Sequence, residues 1–80
     1  MPEPLSPATA TFGARVRARR EALGLSQEAL AREADLHWTF VGQVERGRRN
    51  ISLHNILKLA MGLGSDPGEL LRGLKPPDDG

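Results

Sequence analysis

The sequence predicts an all-α fold, a compact bundle of five short helices. Apolar residues recur at helical spacing in five segments, and no segment alternates as a half-buried strand does. Serine, threonine or aspartate before a segment and glycine after it are typical of helix caps. Because prolines gather at both ends of the 80 residues, we expect one domain over residues 9–74 between flexible tails, 1–8 and 75–80.

Capping signals define the expected bounds of the helices. Thr9 or Thr11 is expected to cap the first helix, whose inward side would carry Phe12, Val16 and Leu23. The last helix has the clearest start, an aspartate cap followed by proline at the first helical position. Together these signals place the helices at about residues 10–23, 27–34, 38–46, 53–63 and 67–73.

The fourth and fifth helices carry more apolar residues than a small core can hold. In the fourth helix the spacing i, i+3, i+4, i+7 predicts a core-facing side made of Leu53, Ile56, Leu57 and Ala60. Five helices this short cannot bury everything, and the apolar surplus predicts a contact between two copies of the chain. We assign this dimer interface to four residues that could also belong to the core, Met61, Leu63, Leu70 and Leu71.

Composition narrows the function. The net charge is only +1, but seven arginines fall into two clusters, residues 15–20 and 46–49. Such clusters fit an anionic partner, and equally a solvated helix surface. The absence of cysteine, with only two histidines, excludes zinc fingers and similar metal sites, and we expect no cofactor and no small-molecule ligand. The chain shows neither a signal peptide nor an apolar run of about 20 residues, so a cytoplasmic location without membrane contact is expected.

Enzyme motifs fail on their structural context. Gly62 and Gly64 resemble part of a nucleotide-binding loop, but they follow a helix and have no strand before them. No serine stands in a nucleophile turn, and no pair of acidic residues is placed for acid–base work. The sequence therefore predicts a protein that is not an enzyme.

The second and third helices are expected to form a helix–turn–helix. The turn at Asp35 and Leu36 is too short for antiparallel packing, so the two helices must cross steeply. Ala31 is small, as the crossing requires. One side of the third helix carries hydrogen-bonding side chains that can read base edges in a major groove. This stripe consists of Trp38, Thr39, Gly42, Gln43 and Arg46.

The pattern GLSQEALAREADLHWTFVGQVERGRRNISLHNILKLAMGLG, with RVRARREAL ahead of it, resembles the phage Cro and repressor (xenobiotic-response-element) family over about residues 12–72. Its T-F-x-x-x-x-E-R-G-x-R-N-x-S-L-x-N-I portion is most similar to controller proteins of restriction–modification systems. The resemblance implies a lambda-repressor-like fold. It also implies a homodimeric, sequence-specific transcriptional regulator of double-stranded DNA. Two recognition helices about 34 Å apart would read a pseudo-palindromic operator.

The same resemblance implies roles for individual residues. Arg20 and Glu45 would form a structural salt bridge between the first and third helices. The implied base-reading residues are Trp38, Thr39 and Gln43, although Trp38 could instead pack on a neighbouring helix or subunit. The implied contacts to the DNA backbone are made by Gln27, Phe40, Arg46, Arg48 and Arg49.

Two alternative functions and four departures from the family pattern accompany this interpretation, the departures standing at Asp35, His37, Trp38 and Ile51. His37 stands where serine or threonine usually caps the recognition helix, so a weak cap is expected. Asp35 stands in the turn where glycine is common. The substitution is tolerated because aspartate adopts the left-handed backbone conformation more readily than most residues. The same fold also serves antitoxin-type regulators docked to a protein partner. It serves coactivator-like interaction modules as well, in which Thr39 and Gln43 would be idle.

Overall fold

The computed structural model describes residues 3–78, and over that range it contains helices and no strand, which confirms the predicted all-α class. Helix α1 packs on α3, α2 packs on both α3 and α4, and α5 contacts α1 and α4. No helix in this part of the chain is long and apolar enough to cross a bilayer. The helices are α1 (Pro7–Ala22), α2 (Gln27–Ala34), α3 (Trp38–Glu45), α4 (Leu53–Gly62) and α5 (Pro67–Leu71).

Helix α1 begins earlier than the sequence predicts. Ser6 is its N-cap and Pro7 its first residue, whereas the expected cap was Thr9 or Thr11. Thr9 instead completes a capping box: its backbone N–H donates to Ser6 Oγ at 3.1 Å, and the Ser6 N–H donates to Thr9 Oγ1 at 3.0 Å. The prolines were interpreted as marks of a tail, but proline suits the first helical position because its missing N–H would have no partner there.

The segment before α1 is not the free tail that was expected for residues 1–8. The Leu5 N–H donates to the carbonyl of Gly47 at 2.8 Å, and Thr9 Oγ1 donates to the same oxygen at 2.9 Å. Arg48 donates to the carbonyl of Glu3. The chain ahead of α1 therefore packs against the loop after α3. Residues 1–2 of the predicted tail lie outside the described residues.

The other expected tail covers residues 75–80. Residues 75–78 follow α5 without regular secondary structure, and residues 79–80 lie outside the described part of the chain.

All five helices contribute to one core. Helix α1 crosses α3 closely at Gly13, where a Cβ would lie 2.8 Å from the Glu45 carbonyl oxygen and closer still to that of Val44. The prediction that Leu23 faces inward is wrong, because this residue is the C-cap of α1 and is exposed before the chain reverses at Gly24. The buried apolar residues are Phe12, Val16, Leu30, Ala31, Ala34, Val41, Val44, Leu59, Ala60, Leu63 and Leu70.

Helix α4 is rotated relative to the predicted orientation. Leu53 is 64% exposed and Leu57 is 44% exposed, so the expectation that both face the core is wrong. Met61 is 73% exposed and continues the same side at i, i+4, i+8. The helix thus has two apolar sides, and the inward one holds Ile56, Leu59, Ala60 and Leu63.

Two residues assigned to the dimer interface belong to the core of the single chain. Leu63 has no exposed surface and Leu70 is almost fully buried. Neither can contact a second copy while this packing holds, so that part of the assignment is wrong. Met61 and Leu71 do reach the surface.

Candidate nucleic-acid interface

Helices α2 and α3 form the predicted helix–turn–helix. Asp35 closes α2 in the left-handed conformation, with φ 56° and ψ 51°. The Leu36 N–H donates to the carbonyl of Ala31 at 2.9 Å, and Ala31 is buried between the helices. The chain turns sharply at these residues and starts α3 at Trp38, so one side of α3 stays outside the core.

The C-terminal end of α3 is tied to α1 by a buried ion pair. Arg20 Nε donates to Glu45 Oε2 at 2.6 Å and Arg20 Nη2 donates to Oε1 at 3.0 Å. The side chains are only 12% and 3% exposed, respectively. The hydrogen bond to Glu45 raises the pKa of Arg20, so the guanidinium stays charged despite its burial. Arg20 is thereby committed to the scaffold rather than to a phosphate.

Gln27 shares this anchored carboxylate. Its Nε2 donates to Glu45 Oε1 at 3.0 Å, which leaves the amide oxygen of Gln27 turned elsewhere. That oxygen and the Arg46 guanidinium both lie 3.4 Å from the point where a Cβ of Gly42 would stand. Gln27, from the start of α2, and Arg46, just past the end of α3, therefore both cover the buried Gly42.

Three of the predicted DNA contacts form one cluster at the middle of α3. Arg49 Nη1 donates to Gln43 Oε1 at 3.2 Å, and the Arg49 guanidinium lies 4.8 Å from the centre of the Phe40 ring. A cation over an aromatic face at this distance is attracted to it. The exposed arginine is thus held beside Gln43 rather than swinging free. Each of these residues was predicted separately to contact DNA, but no sequence pattern indicated that they contact one another.

The N-terminal end of α3 is exposed and held by local contacts. Trp38 is 52% exposed and stacks on His37, with ring centroids 6.1 Å apart and planes 24° from parallel. The cap expected to be weak is present: the Thr39 N–H donates to His37 Nδ1 at 3.2 Å. Thr39 Oγ1 lies 2.7 Å from the same nitrogen.

The arginines of α1 have a role that the sequence did not indicate. Arg15 Nη1 donates to the carbonyls of Leu70 and Arg72 at 3.2 and 2.8 Å. Arg19 Nε donates to the carbonyl of Leu63 at 3.1 Å. Both side chains therefore satisfy carbonyls at the ends of α5 and α4, where helices leave such groups unpaired. Backbone acceptors leave no trace in the side-chain pattern, so no sequence signal pointed to these bonds.

This fold and this exposed α3 surface define a class, the helix–turn–helix DNA-binding regulators. The family model described as "Helix-turn-helix" matches residues 16–70. The chain belongs to this helix–turn–helix family of DNA-binding transcriptional regulators.

Individual relatives narrow the class. The chain is 49% identical to control protein C.BamHI of Bacillus amyloliquefaciens over 61 residues, 75% of each protein. It is similar to the crystal structure of the restriction–modification controller protein C.AhdI from Aeromonas hydrophila, with 55% identity, a TM-score of 0.76 and coverage of 78% of this chain and 94% of that one. The P22 c2 repressor, solved in complex with a synthetic operator, shares 34% identity with a TM-score of 0.72 over 78% of this chain and 94% of the repressor. These similarities agree with the resemblance drawn from the sequence motifs.

Proposed function

We propose that this protein is a homodimeric transcriptional regulator of the restriction–modification controller type, which places α3 in the major groove of each half of a pseudo-palindromic operator. The observation that carries the proposal is the polar side of α3, where Thr39 is held by His37 and Gln43 is bonded to Arg49. Relatives named as control proteins supply the type. The role is one of binding rather than catalysis, and it is exercised on DNA in the cytoplasm.

Base reading is assigned to the exposed side of α3. A glutamine can pair with adenine in bidentate fashion, accepting from N6 and donating to N7. Gln43 keeps this capacity, since Arg49 occupies only one lone pair of its amide oxygen and the amide hydrogens remain available. Thr39 and Trp38 lie nearer the start of the helix and would reach the adjacent base pairs.

Backbone contacts are assigned to the residues that surround that side. Gln27, at the first position of α2, would meet a phosphate where helix N–H groups also favour an anion. Arg46, Arg48 and Arg49 follow the end of α3 and would hold the strand beyond it. Phe40 packs against the Arg49 guanidinium and is assigned to the same contact with the DNA backbone. Such contacts fix register and supply affinity more than sequence discrimination.

The dimer surface is assigned to the exposed apolar stripe of α4, defined as Leu53, Leu57 and Met61. Leu71 of α5, which is also exposed, keeps the interface role proposed from the sequence. Three large apolar side chains on successive turns are costly to leave in water, and each would stabilise an interface by roughly 1.5–3 kcal/mol if fully buried. A two-fold contact along one helix would present two copies of α3 to one side of the DNA.

Leu57→Lys tests the stripe, with Leu23→Lys as its control. The two leucines are about equally exposed, but Leu23 is the C-cap of α1 and is not part of the stripe. Sedimentation at micromolar concentration should give a dimer for the native chain and the control, and a monomer for Leu57→Lys with unchanged helicity. A native chain that sediments as a monomer, or a Leu57→Lys variant that remains dimeric, would contradict this interface.

The division between reading and clamping is tested on the operator, which is first obtained by selecting bound sequences from a random DNA pool. Arg49→Ala should weaken binding to all sequences alike. It should also reduce the slope of log binding constant against log salt concentration by about one. Gln43→Ala should cost about 1–3 kcal/mol on the operator and relax specificity at one position.

Because the two side chains are bonded, the double variant should lose less than the sum of the singles. Equal losses on every sequence for both single variants would refute the division. Weak, sequence-blind binding by the native chain would favour a protein-interaction module instead.

A further inference from the structure

His37 is the N-cap of α3, a position usually taken by serine or threonine, and its contacts go beyond capping. The side chain is exposed at the start of α3, yet its Nδ1 is in contact with both the backbone nitrogen and the hydroxyl of Thr39. Stacking on Trp38 holds the ring from its flat side. The hydroxyl of Thr39, a proposed base reader, is therefore in contact with the side chain that caps its own helix.

The direction of these hydrogen bonds follows from the backbone. A backbone N–H can only donate, so Nδ1 must accept from Thr39 at 3.2 Å and must carry a lone pair rather than a hydrogen. In this geometry Nδ1 acts as the acceptor, and the ring hydrogen is assigned to Nε2. A nitrogen without hydrogen cannot donate to the hydroxyl, so at 2.7 Å it is the Thr39 O–H that donates to Nδ1.

This geometry changes what Thr39 offers to DNA. A free threonine hydroxyl can donate or accept and so discriminates little between bases. Once its hydrogen is given to His37, the Thr39 oxygen presents only lone pairs. In the major groove the partners for lone pairs are the amino groups, N6 of adenine and N4 of cytosine. Phosphate oxygens, guanine and the thymine O4 offer only acceptors and are disfavoured.

We propose that His37 is a specificity-determining positioning residue: it fixes the Thr39 hydroxyl as an acceptor, so that Thr39 selects a base with an exocyclic amino group. The inference rests on the proposed function, since it requires that Thr39 face a base edge. It assigns to His37 a role at one base pair, beyond the general stabilisation that any helix cap provides.

Two cap-competent variants separate the two roles. His37→Asn keeps an acceptor oxygen at nearly the position of Nδ1, so it should cap α3 and still take the Thr39 hydrogen. His37→Ser also caps the helix, but its hydroxyl both donates and accepts, so the direction of the Thr39 hydroxyl is no longer fixed. Thr39→Val removes the hydroxyl and keeps the shape of the side chain. Circular dichroism of the full chain confirms that each variant is folded.

The readout is selection from operator half-sites randomised at every position. The native chain and His37→Asn should prefer adenine or cytosine at one position by about fivefold, the worth of one hydrogen bond. His37→Ser and Thr39→Val should lose that preference and leave the position read by Gln43 unchanged.

Equal selection of adenine and guanine, or of adenine and thymine, on the strand that Thr39 faces would overturn the inference, because only adenine and cytosine share an exocyclic amino group. So would a His37→Ser variant that keeps the preference, or one that weakens all sequences equally. A native chain that selects no sequence at all would refute the proposed function itself, and this inference with it.

Discussion

The two ends of the recognition helix are built in different ways. The C-terminal end of α3 is anchored by a buried ion pair, a close glycine crossing to α1 and the chain that precedes α1. The N-terminal end carries three consecutive exposed residues, 37–39, whose side chains contact one another at the surface. One end of the helix thus belongs to the scaffold, and the other end is free to vary.

This difference separates stability from specificity along a helix of eight residues. Substitutions at the anchored end should alter the free energy of unfolding, because they disturb buried groups. Substitutions at the exposed end should alter the choice of DNA sequence and leave the fold intact. Three predictions test the comparison.

The largest effect is expected from Glu45→Ala. It leaves the Arg20 guanidinium buried without its carboxylate and removes the partner of Gln27. Breaking a buried pair from one side should lower the free energy of unfolding by about 3 kcal/mol, measured by chemical denaturation. The control is Glu21→Ala, which removes the exposed partner of Arg17 and should cost less than about 0.5 kcal/mol. Similar losses for both variants would show that the C-terminal end is not anchored by this pair.

A smaller effect is expected from Thr9→Val. This change removes the hydroxyl that donates to the Gly47 carbonyl and closes the capping box with Ser6. Loss of these bonds should cost about 1–2 kcal/mol in denaturant unfolding. Thr11→Val, at an exposed position of the same helix, serves as the control and should be nearly neutral. If the two variants were equally stable, the segment before α1 would contribute nothing to the anchored end.

The smallest effect on stability is expected from Trp38→Ala. The indole is half-exposed and packs on His37 rather than in the core, so unfolding should change by less than about 0.5 kcal/mol. Thermal denaturation followed by circular dichroism measures this. A loss above about 1 kcal/mol would mean that the exposed end also belongs to the scaffold.

Much of the fold could be predicted because it depends on local chemistry. The spacing of apolar residues, the serine and aspartate caps and the turn at Asp35 each act within a few residues of the chain. The bounds of α2 follow from such signals and match the prediction, residues 27–34. The candidate base readers also followed from a single helix period, because their side of α3 lies opposite the buried Val41 and Val44.

The features that escaped prediction depend on parts of the chain that are distant in sequence. Helix α4 has two apolar sides, and only packing against α2 decides that Leu59 is buried and Leu57 exposed. Leu63 and Leu70 were assigned to an interface because the size of the core was underestimated. The start of α1 is the exception, because Ser6 and Pro7 signal it locally but the prolines were interpreted as marks of a tail. Arg49 meets Gln43 and Phe40 only after the chain has turned back past the end of α3.

The arginines of α1 have a consequence for the DNA that the protein can accept. Arg20 binds the recognition helix, while Arg15 and Arg19 bind carbonyls at the ends of α5 and α4. Helix α1 therefore connects the reading surface on α3 to α4, which carries the proposed dimer surface. In a dimer, the distance and angle between the two α3 helices are then fixed. One extra base pair between half-sites turns the second site by about 34°. A dimer whose two α3 helices cannot change their spacing would bind that operator poorly, although every base in each half-site is correct.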